Sequence, residues 1–486
     1  MAGPRLPESF EGIPVHMVGI KGTGMAALAE ILVAEKARLT GSDVQDVFYT
    51  DAVLRSLGIE ALPFSADNVR EGTRLVIHSA AYARGVHPEL VAAERLGIPM
   101  LTYTEALGEL SRRFDSSGIA GVHGKTTTTA LAGTLLRGAG SSSVILAGSA
   151  VAGFGDRSTL ILGRRFFVAE TCEYKRHFLS FSPSRIILTS VEPDHQDYYP
   201  DYESIRDAFL EYVRSLPYGG TLIYCADDPG AVDTAARARE DRPDLELMPY
   251  GFEAEGPWNL ESYEVRDERA EFRLAGLPGP FVLRIPGRHV ALDATAALAL
   301  TDRLVREEFG GPLEGKRLES VRTALESFSG SRRRCEILGT ARGILFMDDY
   351  GHHPTAIRKT LEGIRDFYPR RRLVVDFMSH TYSRTAALLD GYADAFGAAD
   401  EVVLHRIYAS AREKPDGSVT GRTLFDRMSA RHPRVRYFEE PLEALEPLRA
   451  DLGPGDLFLT LGAGDNFRLG RTLYESLKSE EDASSS

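Results

Sequence analysis

The segment of this chain whose residue types most directly do chemistry is Gly121-Val122-His123-Gly124-Lys125-Thr126-Thr127, which follows the apolar run Gly118-Ile119-Ala120. Glycines at a strand-to-helix turn let backbone N–H groups close on an anion, and the start of the helix adds about half a positive charge. A lysine at position 125 reaches the outer phosphates of a nucleotide held there, and the Thr126 hydroxyl is placed for Mg²⁺. The loop is a shortened form of the common phosphate loop. The first glycine of GxxxxGK[ST] would fall on Ile119, which leaves GxxGKT. The reading is a nucleoside triphosphate (ATP-type) site formed by Gly121 to Thr127.

Other carboxylates and histidines belong with that loop. The run FFVAE stops at Glu170, and SRIILTS leads into Val191-Glu-Pro-Asp-His195-Gln-Asp197. In open α/β sheets ligands gather at the carboxyl ends of strands, so two neighbouring endings of this kind suit a Mg²⁺–phosphate site. The metal set read here is Thr126, Glu170 and His195. Mg²⁺ prefers oxygen, and His195 acting through water, or only capping its loop, are the alternatives.

Near the start, Gly19-Ile-Lys21-Gly22-Thr-Gly24-Met25 is followed by Asp43. The GxxGxG spacing differs from the GxGxxG of nicotinamide dinucleotide sites and suits a diphosphate, to which Lys21 could lend charge. A turn that merely packs a helix on a sheet is the plain alternative. In the last third, four apolar runs each end in polar residues. ILFMDD ends at Asp349 before Tyr350, His352 and His353, and RLVVDFMS precedes His380 and Arg384. EVVLHRIY precedes Arg412 and Glu413, and DLFLTL precedes Gly462, Gly464 and Asp465. Together they suggest a face built to hold a small polar ligand.

What must position these residues is an α/β architecture. Short apolar runs alternate with helical patterns from PVHMVGI through IPMLTY, the rhythm of βαβ units and a parallel sheet. We expect three domains: residues 1–113, Rossmann-like; 114–327, a P-loop-type ATPase domain with a parallel sheet; and 328–478, again Rossmann-like. Residues 216–285 read as an insertion with extended, Gly/Pro-punctuated segments, and 479–486 as a disordered tail. The stripe in IRKTLEGIRDF (357–367) reads as a core face.

Composition narrows the function classes. A net charge of −13 over 486 residues disfavours a nucleic-acid or anionic-membrane partner. Three cysteines without metal-type spacing argue against disulfides or zinc, and Cys172 reads as a packing thiol. The segment MAGPRLPESFEGIP is too polar for a signal peptide, and no apolar run approaches about 18 residues. The expectation is a cytoplasmic enzyme without stable membrane insertion, monomeric or homodimeric.

The order GxxGxGM, GxHGKTTT, strand-Glu, DHxD, PGRH, GxxRR, DDYxHHP, HxYSRT, IYAxARE and GAGD, from Gly19 to Asp465, resembles the Mur ligases over essentially the whole chain. DDYGHHPT, SHTYSRT and IYASARE are most similar to the branch that adds the first amino acid of the peptidoglycan stem. The alternatives are the branch that attaches a preformed tripeptide to the same nucleotide sugar, and a noncatalytic nucleotide-binding homologue. The resemblance implies UDP-N-acetylmuramate and L-alanine as substrates, with ATP and Mg²⁺, and an acyl-phosphate intermediate.

It further implies that Gly22, Gly24, Met25, Asp43 and Ser79 hold the UDP sugar and that Asp349 meets the ATP ribose. It gives Lys125, Glu170, His195 and Arg334 catalytic roles, with Arg333 the alternative to Arg334. Tyr350, His352, His353, His380 and Arg384 would form the amino-acid pocket, the alternative for the two adjacent histidines being that one only supports the other. The chain departs from the family pattern at Ser190, Val290 and Asp293, where asparagines are usual, and at Tyr103, where arginine is common. No lysine lies between His195 and Arg214 to match the carbamoylated lysine of sister ligases.

Overall fold

The computed structural model describes residues 5–195, 198–409, 417 and 419–484. These form two compact units. The first comprises residues up to Glu192, Ile205–Tyr250 and Ala296–Val321; the second comprises Pro193–Ser204, Gly251–Thr295 and the chain from Arg322 onward.

The first unit contains two sheets. Four parallel strands run in the order Arg38–Ser42, Pro14–Val18, Leu75–His78, Met100–Thr102. Seven strands run in the order Glu246–Tyr250, Thr221–Cys225, Arg185–Leu188, Asp115–Ala120, Phe166–Glu170, Ser143–Val151, Arg157–Ile161, all parallel except the last pair. Strands such as Leu75–His78 and Arg185–Leu188 are buried along their whole length. That is why they read as unbroken apolar runs rather than alternating ones.

The strand Asp115–Ala120 is the middle of the seven, and its register pairs Ile119 with Glu170 and Ala120 with Leu188. The loop that follows therefore emerges at the carboxyl edge of the sheet, between two neighbouring strand ends. Crossovers leave opposite ways from such a middle strand, and the crevice there is where ligands of open sheets sit.

The expected insertion over 216–285 is corrected. Thr221–Cys225 and Glu246–Tyr250 extend the central sheet, joined by the helix Pro229–Asp241. The Asp228 side chain caps that helix by accepting from the Ala231 N–H, with proline at its first turn. Only Leu260–Arg266, Arg269–Leu274 and Leu277–Leu283 stand apart, as a three-stranded antiparallel sheet in the second unit.

The second unit also holds a six-stranded sheet in the order Glu336–Ala341, Ile344–Asp349, Asp456–Leu461, Arg372–Phe377, Glu401–Leu404, Val435–Tyr437, antiparallel only at the first edge. Phe346, Val374, Val403 and Phe458 from four of these strands pack with Leu469, Leu473 and Leu477 into one apolar cluster. Each such side chain contributes about 1.5–3 kcal/mol on leaving water. The helix Pro354–Phe367 buries Ile357, Leu361, Ile364 and Phe367, so the apolar stripe is a core face.

The final helix runs Phe467–Ser484, through most of the segment expected to be a disordered tail. Lys478 pairs one turn on with Glu481 and Asp482, at 3.3 and 3.2 Å, and such pairs favour helix where composition alone suggests coil. Among the described residues no helix is long and apolar enough to cross a membrane.

Candidate functional site

The phosphate loop is built by two glycines and two hydroxyls. Gly121 (φ +139°) and Gly124 (φ +79°) hold backbone conformations that favour glycine, and the helix Lys125–Ala139 starts directly after them. The Thr189 hydroxyl donates to the carbonyls of Ala120 and His123. Ser190 accepts twice, its carbonyl from the Val122 N–H at 3.1 Å and its Oγ from the His123 N–H at 2.9 Å. Ser190, marked as a departure from the family pattern, is thus a post on which the loop is hung. His123 Nε2 also lies against a carboxylate oxygen of Glu192.

Lys125 Nζ bonds the Gly121 carbonyl and Glu173 Oε2, the latter at 2.9 Å. Burial would lower the lysine pKa, but the charges of Glu173 and Glu170 outweigh it and raise it, so the ammonium stays charged. The Thr126 hydroxyl donates to Glu170 Oε2 at 2.8 Å. A Cβ on Gly148 would lie 2.2 Å from that same oxygen, so the missing side chain is what leaves room for the carboxylate. The sequence-derived triad is therefore joined for Thr126 and Glu170. His195 belongs to the second unit, where its N–H donates to Asp194 Oδ1 at 2.7 Å.

Above Glu170 opens a cavity of about 310 Å³. Its walls come from the first glycine turn (Gly22, Thr23, Gly24, Met25), from Ser79, from the helix Tyr103–Ser111, from Leu146–Gly148, and from the segment Glu170–Phe181. Gly22, Gly24, Met25 and Ser79, read as UDP-sugar contacts, and Glu170, one of the three residues read as metal ligands, therefore line one space, which Asp43 does not. That carboxylate shapes the turn instead, Oδ2 accepting the Lys21 N–H and Oδ1 the Val44 N–H, at 2.7 and 2.8 Å. Lys21 is likewise occupied, paired with Asp51 at 3.2 Å.

Tyr103, Cys172 and His177 are among the lining residues that sequence reasoning missed. Tyr103 fills the place of a Gly24 side chain, whose Cβ would meet the ring at 2.7 Å. Cys172, expected to be a packing thiol, is exposed and lines the cavity. His177 follows Lys175 and Arg176, which hold left-handed backbone at φ +51° and +58°. Two non-glycine residues there cost about 1–2 kcal/mol each. Arg176 is pinned by an ion pair to Glu211, and Phe178 is anchored by stacking on Tyr212 at 4.5 Å. The signal in the sequence was only an EYKRHF segment soon after a strand-ending glutamate.

In the second unit Arg384 donates to Asp194 Oδ1 at 2.6 Å, both side chains buried. Burial would raise the Asp194 carboxyl, but Arg384 beside it holds it below the usual carboxylate range. His352 is held neutral by burial and by Arg384. Its ring lies 6.1 Å from that of His380 and 5.3 Å from that of Tyr350.

Arg333 and Arg334 both lie over the Tyr350 ring at 5.1 Å, but Arg333 is tied to the carbonyl of Gly462 and to Asp348, at 2.6 and 3.2 Å. His353 accepts from the Thr355 N–H and caps the helix Pro354–Phe367. The Asp349 oxygens accept the N–H groups of Cys335 and Gly351, both at 2.7 Å. Asp197, Arg412 and Glu413 lie outside the described residues.

Three family models match in order: the Mur ligase family catalytic domain at residues 14–115, the Mur ligase middle domain at 119–301, and the Mur ligase glutamate ligase domain at 333–464. The chain belongs to the Mur ligase family. This Mur ligase is 52% identical to the UDP-N-acetylmuramate–L-alanine ligase of Treponema pallidum strain Nichols, over 98% of the chain and 99% of that protein. It is 40% identical to the protein of the same name from Desulfitobacterium hafniense strain Y51, over 94% and 99%.

Among solved structures, the UDP-N-acetylmuramate-alanine ligase of Thermotoga maritima matches with a TM-score of 0.76 at 26% identity, covering 96% of this Mur ligase and all of that chain. A murein peptide ligase from Psychrobacter arcticus, 22% identical with a TM-score of 0.65, shares the fold.

Proposed function

We propose that this Mur ligase joins the lactyl carboxylate of UDP-N-acetylmuramate to the amine of L-alanine at the expense of ATP, in the cytoplasm. The observation that carries this is the 52% identity to a ligase of that name over 98% of the chain. Residues 1–113 would serve the UDP sugar, 114–327 the ATP and 328–478 the amino acid.

The carboxylate oxygen attacks the γ-phosphorus of ATP and ADP leaves, giving an acyl phosphate. The alanine nitrogen then attacks the acyl carbon, phosphate leaves, and the amine loses a proton. Phosphoryl transfer asks mainly for positioning and charge neutralisation. Lys125, charged and held at the loop, takes the equatorial oxygens of the transferring group. The loop amides from Gly121 to Thr127 hold the other phosphates at the helix start.

Mg²⁺ fits the oxygen donors of Thr126 and Glu170, whose carboxylate sits in the space left by Gly148. When bound, it neutralises phosphate charge. The shared cavity lets a sugar nucleotide start at the first glycine turn and end at Glu170. In the second unit, Arg384 is buried, its charge reaches His352, and its Nε has no partner among the described residues, which leaves a donor for the alanine carboxylate.

The test is phosphate release from ATP with UDP-N-acetylmuramate and Mg²⁺, comparing L-alanine with the L-Ala-γ-D-Glu-diaminopimelate tripeptide. Release driven by L-alanine is expected. Release with the tripeptide alone would move the protein to the recycling branch.

A further inference from the structure

We propose that His177 is a substrate-binding residue of the cavity, which takes up a proton to hold an anionic group of the sugar nucleotide. This rests on the proposed substrate. An acidic sugar nucleotide carries a diphosphate and a carboxylate, yet none of the residues lining the cavity is lysine or arginine. Of the nearby cations, Lys21 is paired with Asp51, Lys125 with Glu173 at the phosphate loop, and Arg176 with Glu211, while Lys175 is exposed and lies over the Tyr174 ring at 5.4 Å without lining the cavity.

His177 lines the cavity, is half-buried, and its ring nitrogens have no hydrogen-bond partner among the described residues; its one ring contact is with Tyr174, at 6.4 Å. The left-handed pair Lys175–Arg176 and the anchor Phe178 fix the backbone on both sides of it. The surroundings favour a neutral imidazole until an anion arrives. Burial and then the Lys175 charge lower its pKa.

The helix Tyr103–Ser111 packs closely there, with Gly108 against the Ser180 carbonyl, and its lining residues Tyr103, Thr104, Leu107 and Gly108 bring no charge. From the strand Phe166–Glu170 comes Glu170, already bonded to Thr126, and Cys172 follows it. Glu211, on the helix that carries Tyr212, is taken by Arg176. A bound diphosphate or carboxylate would be the first free anion to meet this ring, and it would raise the imidazole pKa on binding.

The experiment is calorimetric titration of the full chain with UDP-N-acetylmuramate at pH 7.5, in buffers of different ionisation enthalpy. The ligand's diphosphate and carboxylate stay ionised at that pH, so proton uptake reports the protein. Uptake of a substantial fraction of one proton is expected, with Kd rising up to about tenfold per pH unit between the free and bound pKa values. His177→Gln should lose both the uptake and the pH dependence and weaken binding, while ADP affinity stays as in the wild type.

UDP-N-acetylglucosamine, which has the diphosphate but lacks the lactyl carboxylate, tells the two anions apart. Uptake with both ligands assigns the diphosphate, and uptake with UDP-N-acetylmuramate alone assigns the carboxylate. Tight binding without proton uptake, or uptake that survives in His177→Gln, overturns the proposal. Absence of any UDP-N-acetylmuramate binding would instead overturn the substrate reading on which it rests.

Discussion

Replacing Gly121 by alanine tests whether the phosphate loop has the shape its nucleotide needs. At φ +139° a side chain costs about 1–3 kcal/mol in the backbone alone. The new Cβ would also lie 2.1 Å from Thr189 Oγ1 and 2.8 Å from the Ser190 nitrogen. Thr189 is tied by its bonds to the Ala120 and His123 carbonyls, and the Ser190 atom is backbone, so neither yields cheaply. Overpacking of this kind adds about 1–3 kcal/mol.

Strain at Gly121 displaces the loop amides that would grip the phosphates, so the loss appears in nucleotide affinity as well as in unfolding. A cost of about 3–4 kcal/mol corresponds to roughly 100- to 1000-fold in Kd. Titration calorimetry with ADP and Mg²⁺ reads this directly. Gly22→Ala is the control, because φ there is −58° and the nearest atom to the new Cβ is 3.6 Å away; its ADP affinity should be unchanged. ADP binding by Gly121→Ala within about threefold of wild type would refute the argument.

Lys125→Ala should lower kcat by at least about 1000-fold, with UDP-N-acetylmuramate affinity kept; loss of that affinity in equilibrium binding would contradict the division of labour between the sites. Ser190→Ala removes the acceptor of the His123 N–H and should weaken ADP binding about fivefold, the equivalent of about 1 kcal/mol, by the same calorimetry. Arg384→Met leaves Asp194 buried without its partner and should cost about 3–5 kcal/mol at pH 7 in urea unfolding. Because the folded Asp194 pKa is depressed, that stability is present above the unfolded value of about 3.9 and fades as pH falls below it. A gap between wild type and variant that stays constant from pH 7 to pH 3 would exclude this pairing as its source.

The strand-to-helix turn holding Gly121 and Gly124 and the strand end at Glu170 were legible as structure because each is a local pattern. One is a glycine turn between a strand and a helix, and the other is a carboxylate at the last residue of an apolar run. The central sheet beyond residue 216 was just as local, with Asp228 and Pro229 announcing a helix, but the Gly/Pro punctuation around it drew attention instead.

Roles set by neighbours far away in the chain were not legible. Nothing near Asp43 announces that both its oxygens bond backbone N–H groups, and nothing near Lys21 names Asp51 as its partner. His352 and His353 look equivalent in sequence; helix geometry makes one a cap, while the field of Arg384 reaches the other. The cavity wall of Tyr103, Cys172 and His177 comes from two segments that only the fold brings together.

The pairing of Lys125 with Glu173 bears on how the reaction ends. A phosphate-loop lysine without a counter-charge would retain any anion left in the loop, inorganic phosphate included. Here a resident carboxylate 2.9 Å away, almost wholly buried, competes for the ammonium the moment the triphosphate is spent. Free phosphate brings too little charge and too few contacts to displace it, whereas ATP brings a chain of phosphates that the loop amides grip together. Weak product inhibition by phosphate is therefore the expected outcome, to be read from inhibition kinetics of the ligase reaction.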